Sequence, residues 1–222
     1  MIIEIPKTEL FDLVARQLGS LFLFHSEERV LLEQGVESAL KRCEHCFAHE
    51  SSRYYRRGGE VYFNPFQSSQ YAIFLYYLSN SIFRLRESVG TLADRVYYLN
   101  KALNGFDLFY EVEMPDVFFL DHPVGSVIGR GRFGNFFRFS QNCTVGNNKG
   151  IYPVIGVNVT MMSGAKILGD CRIGDHVVLG ANAYVKDAVI PDCSIVFGSS
   201  PNLTIKTREK SYFTADLPPQ YR

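Results

Sequence analysis

Few groups in this 222-residue sequence could move a proton, and the best placed is His122, in the run Phe118-Phe-Leu-Asp-His-Pro-Val-Gly-Ser-Val-Ile-Gly129. An imidazole titrates near neutral pH, so it can take a proton from a hydroxyl as a general base. A carboxylate on its other nitrogen would fix the tautomer and raise its basicity, and Asp107, Asp116 and Asp121 all lie upstream. A second group, Cys43-Glu-His-Cys46 with His49 close by, has the residue types of a metal site. A closed zinc site needs a second ligand pair, which the sequence lacks, and on a helix Cys43 and Cys46 share one face. Core packing is the expected use, and no metal is expected.

The element that must carry His122 shows in a six-residue beat. Ile155, Met161, Ile167, Ile173, Leu179 and Val185 follow at a constant step, and Val159, Ala165, Cys171, Val177, Ala183 and Val189 form a second register of small or β-branched residues. Neither a helix nor a plain strand has that period, so short strands separated by regular corners are implied: a parallel β-helix whose registers fill a continuous core. The beat reaches back through Val145, Phe139 and Phe133, with a shortened rung near Gly129 to Phe133. A step of ten between Val145 and Ile155 leaves Gly146, Asn147, Asn148, Lys149 and Gly150 as a turn-forming excursion.

Residues before about 107 read as a helical domain. Glu27 to His49 and Gln70 to Asn104 carry apolar residues at helical spacing; Ser26 with its two glutamates and Pro65 with Ser68 and Ser69 look like helix starts. Ser51 to Gly59 reads as a polar connection, and Gly105 as the close of the last helix. The fold class is thus α+β: an α-helical domain over 1–106, a β-helix over 107–205 and a C-terminal tail over 206–222. With 23 basic and 23 acidic residues the chain offers no field for nucleic acid or an anionic membrane. The longest apolar run, Tyr71 to Leu78, is too short to span a bilayer, and the first residues lack the pattern of a signal peptide, so a cytoplasmic protein without disulfides is expected.

The run Leu120-Asp-His-Pro-Val-Gly-Ser-Val-Ile-Gly129, followed by Gln141-Asn-Cys-Thr-Val-Gly146, Tyr152-Pro-Val-Ile-Gly156 and Ser163-Gly-Ala-Lys-Ile-Leu-Gly169, resembles the serine acetyltransferases of the hexapeptide-repeat superfamily. The resemblance covers roughly residues 105 to 200 and keeps the motifs in order. It implies a left-handed β-helix, acetyl-CoA as donor, and a homotrimer with sites between subunits; two such trimers can join into a hexamer through the N-terminal helices. Carried over by position, His122 matches the catalytic base, Asp107 its carboxylate partner, and Asp121 an acidic residue that holds the acceptor. Ser163 and Ala181 match backbone along the pantetheine arm, and Gly146 begins the loop beside the reacting end. Phe197-Gly-Ser-Ser-Pro201 resembles the segment near the nucleotide end of CoA, with Lys206 a candidate phosphate partner and Arg208 and Lys210 in a solvated tail.

Three departures bear on the acceptor. Where the family has Arg-His-Pro gripping the serine carboxylate, this chain has Ile151-Tyr152-Pro153; an Asp-Pro pair becomes Asn64 before Pro65; and the loop before Tyr152 is shorter. Losing an arginine partner removes charge-assisted bonds worth about 1.5–3 kcal/mol each. The expected acceptor is therefore a neutral hydroxyl compound, a sugar rather than free serine, bound by Tyr152 and Asn64. Serine O-acetylation is the alternative if Lys149 or Arg138 replaces the lost charge, and a non-catalytic scaffold is a further one. A β-helical carbonic anhydrase would need three histidines around a metal, whereas the repeat half has only His122 and His176.

Overall fold

The structure, a computed structural model, describes residues 1–85, 91–215 and 217. The chain divides into two compact units, Met1–Asn104 with Leu108–Glu111, and Gly105–Asp107 with Val112–Arg222.

The first unit is built on four helices, α1 (Lys7–Leu21), α2 (Arg29–Phe47), α3 (Ser68–Leu85) and α4 (Thr91–Asn104). The helical segments read from the sequence correspond to α2 and to α3 with α4; residues 86–90 of the second lie outside the described residues. The sequence reading does not single out α1, which follows Pro6 without a side-chain cap and is held by a buried stripe of Leu10, Phe11, Val14 and Leu18. A helix buried on every side needs apolar residues all round, and α3 has them from Tyr71 to Leu78, within a stretch from Ser69 to Ile82 that is all buried. Its approach to α2 is close, since a Cβ on Gly35 would stand 2.7 Å from Ile82 Cγ1.

Cys43 and Cys46 lie in this core at zero exposure, and burial raises the Cys43 thiol well above its usual range. Part of the polar connection is ordered: strands Arg56–Arg57 and Glu60–Phe63 form a hairpin, with Gly58 and Gly59 at φ +59 and +86 in its two-residue turn. Two positive φ values suit the twist of such a hairpin, and glycine adopts them without strain. Strand Ile2–Ile3 pairs parallel with Glu60–Phe63.

The second unit is a parallel β-solenoid of about five turns, a left-handed β-helix of hexapeptide repeats. Its first face stacks Phe118–Leu120, Phe137–Phe139, Thr160–Met161, Val177–Leu179 and the start of Ser194–Ser199. The second stacks Val127–Ile128, Thr144–Gly146, Lys166–Leu168 and Tyr184–Lys186. The third stacks Arg132–Phe133, Val154–Ile155, Arg172–Ile173 and Val189–Ile190. Phe139, Met161, Leu179, Val145, Ile167 and Val185 are at most 1% exposed and fill the axis. The rung from Ile128 to Phe133 is shortened, as the sequence predicts.

One expected core residue is displaced. Val189 is 70% exposed, and Ile190 takes the core place opposite Ile173. The last coil is one residue short between Val185 and Ile190, and because faces alternate along a strand, a slip of one turns Val189 outward.

Corners explain the small residues. Most carry a left-handed residue, although the shortened corner from Ile128 to Arg132 turns without one; between the third face and the first these are Phe136, Asn158, His176 and Cys193. At the same corner the Asp175 carboxylate accepts from Val157 N at 2.7 Å, and Asp192 accepts from Asp175 N at 2.8 Å. A Cβ on Gly156 would stand 2.4 Å from Asp175 Oδ1 and 2.7 Å from the Gly174 carbonyl group. We predict that Gly156→Ala lowers the thermal midpoint, at a cost of about 1–3 kcal/mol or more. Adding Asp175→Ala restores only part of the loss, because the Gly174 backbone stays; a double-mutant melting series checks both outcomes.

Candidate active site

His122 stands on the corner between the first and second faces. That corner is wider than its successors: Leu120 to Ile128 is a step of eight, whereas Phe139 to Val145, Met161 to Ile167 and Leu179 to Val185 are steps of six. Its backbone adopts φ +50, and its carbonyl accepts from Val124 N at 2.8 Å. The left-handed region is sparsely used by residues other than glycine, with histidine among the types enriched there. The side chain is exposed.

Asp107 comes to the same corner. Gly125 N donates to Gly105 O at 2.8 Å and Asp107 N to Ser126 O at 2.8 Å, so Gly105–Asp107 runs beside the residues that follow His122. Gly105, at φ +64 directly after α4, turns the chain into this path. Asp107 is half-buried. Asp121 N donates to Phe139 O at 3.0 Å, and its carboxylate accepts from Arg138 Nη1 at 3.3 Å. The Arg138 guanidinium also lies over the Phe119 ring, 4.9 Å from its centroid.

Two residues past His122, Val124 lies at the foot of a file that continues up this corner, Asn142 N donating to Val124 O at 3.0 Å. Gly164 N donates to Gln141 O and Asn182 N to Ser163 O, both at 2.9 Å, which stacks Gln141, Ser163 and Ala181, each two places beyond a first-face core residue. Gly198 holds that place in the top coil, beside Phe197. Strand Asn202–Thr207 returns antiparallel on Ser194–Ser199 and sets Lys206 opposite Ile195, with its Nζ 5.7 Å from the Phe197 ring centroid. Lys206 is thus in a paired strand that runs back along the last coil; residues 216 and 218–222 of the tail lie outside the described residues. Four strand spacings, about 19 Å, separate the His122 coil from the Phe197 coil. Gln141 and Gly198 are members the sequence reading does not single out, although counting two places from Phe139 and Val196 would find them.

Three predicted residues are not in this file. Gly146 ends strand Thr144–Gly146 and Tyr152 follows it, so both lie at the far edge of the second face from His122. The excursion between them is a tight hairpin: Asn148 and Ile151 exchange backbone bonds of 3.0 and 3.1 Å, and Lys149 and Gly150 turn at φ +53 and +79. Asn148 Nδ2 pins it to Asp187 Oδ2 at 2.6 Å. Tyr152 is 41% exposed. Asn64 belongs to the helical unit, where its Oδ1 accepts from Phe66 N at 2.9 Å ahead of α3.

Among the described residues, no group of three or more His, Cys, Asp or Glu could hold a metal ion, and no helix is long and apolar enough to cross a membrane. His122 and His176 stand at different corners. His176 Nδ1 faces Asn158 Nδ2 at 3.2 Å, and Asn158 also donates to Phe213 O at 3.0 Å from the last helical turn, Ser211–Thr214.

Coil and corner file define a hexapeptide-repeat β-helix with an exposed histidine at the first wide corner. Residues 152–187 match the family model described as bacterial transferase hexapeptide (six repeats). A serine acetyltransferase from Synechococcus elongatus is 31% identical over 104 residues, which are 45% of this chain and 43% of the relative. The chain spans less than two thirds of the curated relatives it matches. A Neisseria gonorrhoeae serine acetyltransferase solved in complex with serine superposes with a TM-score of 0.67 at 22% identity, covering 90% of this chain and 84% of that one. A serine acetyltransferase in complex with CoA gives 0.68 at 19% identity, covering 88% and 83%. The chain is thus serine acetyltransferase-like in fold and repeat.

Burial, then Lys210, holds the His176 imidazole below its usual value of 6.5. A group that binds protons more weakly folded than unfolded favours unfolding as acid is added. Stability should therefore decline as pH falls through about 6.5 and below, with neutral His176 contributing fully above that value. Melting curves between pH 5 and 7.5 should show a slope in the wild type that is reduced in His176→Asn.

Proposed function

We propose that this chain is an acetyl-CoA-dependent O-acetyltransferase whose acceptor is serine or a closely similar hydroxyl amino acid. The observation that carries the reading is one corner of the coil: an exposed His122 with Asp107 and Asp121 at its wide lowest turn, and above it the file of Val124, Gln141, Ser163, Ala181 and Gly198, ending beside Lys206. The small side chains of Ser163 and Ala181 and the bare Gly198 let a long, narrow ligand approach the backbone, and a lysine at the far end suits phosphate. Acetyl-CoA laid along the corner would bring its thioester to the histidine end and its nucleotide to Lys206.

In this reading His122 takes the proton of the acceptor hydroxyl as the oxygen attacks the thioester carbonyl. The C–S bond then breaks, and the imidazolium returns the proton to the departing CoA sulfur. Asp107 would hold the imidazole in the productive orientation and stabilise its charge, and Asp121 would meet the acceptor. No step needs a metal.

For the acceptor, the relatives favour serine over the sugar suggested by the missing Arg-His pair: serine acetyltransferase is their printed activity, and one of the solved neighbours holds serine. Gly146 and Tyr152 lie across the face from His122, which supports a site shared between copies. In a closed trimer the hairpin edge of one subunit would meet the histidine corner of the next, a heterologous contact that closes as a ring.

His122→Ala should lower acetyl transfer by about 10²–10⁴-fold while acetyl-CoA binding persists, and Asp107→Asn should cost less. A thiol-release assay, with calorimetry for the donor, checks this. Release unaffected in His122→Ala overturns the assignment, and no release with any hydroxyl acceptor leaves the scaffold reading.

A further inference from the structure

We infer that Arg138, paired with Asp121, reads the charged backbone of an α-amino-acid acceptor and so replaces the cationic grip that Ile151-Tyr152-Pro153 lacks; this rests on the transferase reading above. Arg138 lies on strand Phe137–Phe139, one rung above Phe119 and directly opposite it. Its guanidinium stacks over the Phe119 ring at 4.9 Å and reaches Asp121 Oδ2 at 3.3 Å. Asp121 is covalently next to His122, so one carboxylate and one guanidinium stand together beside the candidate base.

An α-amino acid carries an ammonium and a carboxylate on one carbon, and this pair presents the opposite two signs at neighbouring positions. The Asp121 carboxylate suits the ammonium and the planar fork of Arg138 the carboxylate, which leaves a β-hydroxyl to turn toward the corner. The existing contact does not bar entry. The ion pair between Arg138 and Asp121 is a long N–O distance between side chains 33% and 56% exposed, and surface pairs of this kind contribute little, so an incoming zwitterion can exchange that pair for shorter charge-assisted bonds to both residues. Stacking on the buried Phe119 ring holds the guanidinium plane in place while that happens. Lys149 sits at the tip of the hairpin on the far edge of the face, so within one copy Arg138 is the cation beside Asp121, and Lys149 would reach the site only from a neighbouring copy.

The test compares L-serine with L-serinamide, which keeps the ammonium and hydroxyl but has no carboxylate. Wild type should prefer serine, and Arg138→Met should raise the KM for serine about 10- to 100-fold with little change in the KM for acetyl-CoA, bringing the two acceptors level. Arg138→Lys should recover part of the preference, because it keeps the charge without the fork. Serine binding followed by calorimetry gives a readout independent of turnover. If wild type acetylates serine and serinamide equally well, or if Arg138→Met keeps the wild-type ratio, the inference is overturned while the transferase reading stands. If wild type neither binds serine nor acetylates it but acetylates a sugar, the inference fails together with the choice of serine, and absence of all transfer overturns both readings.

Discussion

Each coil of this protein must close on itself in three short sides and stack on the next in register, one strand spacing above it. The corners make that possible. A chain that turns at the end of every two- or three-residue strand uses a left-handed residue at all but one of these corners, and a small neighbour where the next coil's carboxylate or carbonyl comes in. Gly134, Gly156 and Gly174 occupy the same corner in successive coils, where a Cβ would stand 2.5, 2.4 and 2.2 Å from its nearest neighbour. Backbone bonds between coils then pair the polar groups of all three faces, and the apolar registers close the axis.

Such a ladder tolerates little variation along its strands and much at its corners. One extra residue inside a strand would turn its core side chain outward, whereas a longer corner leaves the register above and below intact. The two widest departures from the beat fit this division: the step of eight that carries Asp121 and His122, and the step of ten that forms the hairpin before Tyr152. Both lie along the second face, one at each edge. Stacking also converts sequence repetition into geometry, since residues at the same place in successive coils become neighbours in a file suited to an extended ligand.

The helical unit obeys a different constraint. Its central helix α3 is buried from Ser69 to Ile82, so the polar residues there must be satisfied inside: Asn80 Nδ2 donates to Tyr110 O at 2.6 Å, and from α4 Asn100 Nδ2 donates to Ala72 O at 2.9 Å. No buried side-chain nitrogen or oxygen lacks a partner among the described residues. Cys43 and Cys46 belong to this packing, their shared face set by helical spacing.

What the sequence determined by itself is what depends on local period and on residue type. The six-residue beat specifies the coil, the apolar registers name most of its core, and the histidine after Asp121 marks the corner where chemistry is possible. The same reasoning places Val189 in the core, and there it fails, because a single missing residue between Val185 and Ile190 reverses the outward and inward faces. Tertiary structure alone decided which residues meet across coils. Arg138 and Asp121 are 17 positions apart and touch because their strands stack side by side; Gln141 joins Ser163 and Ala181 only once the ten-residue excursion is folded out of the count. Asn64 and Tyr152, grouped by resemblance, belong to different compact units. Periodicity is a property of neighbouring residues, while reach between side chains depends on how many residues each corner consumes and on which coil lies above.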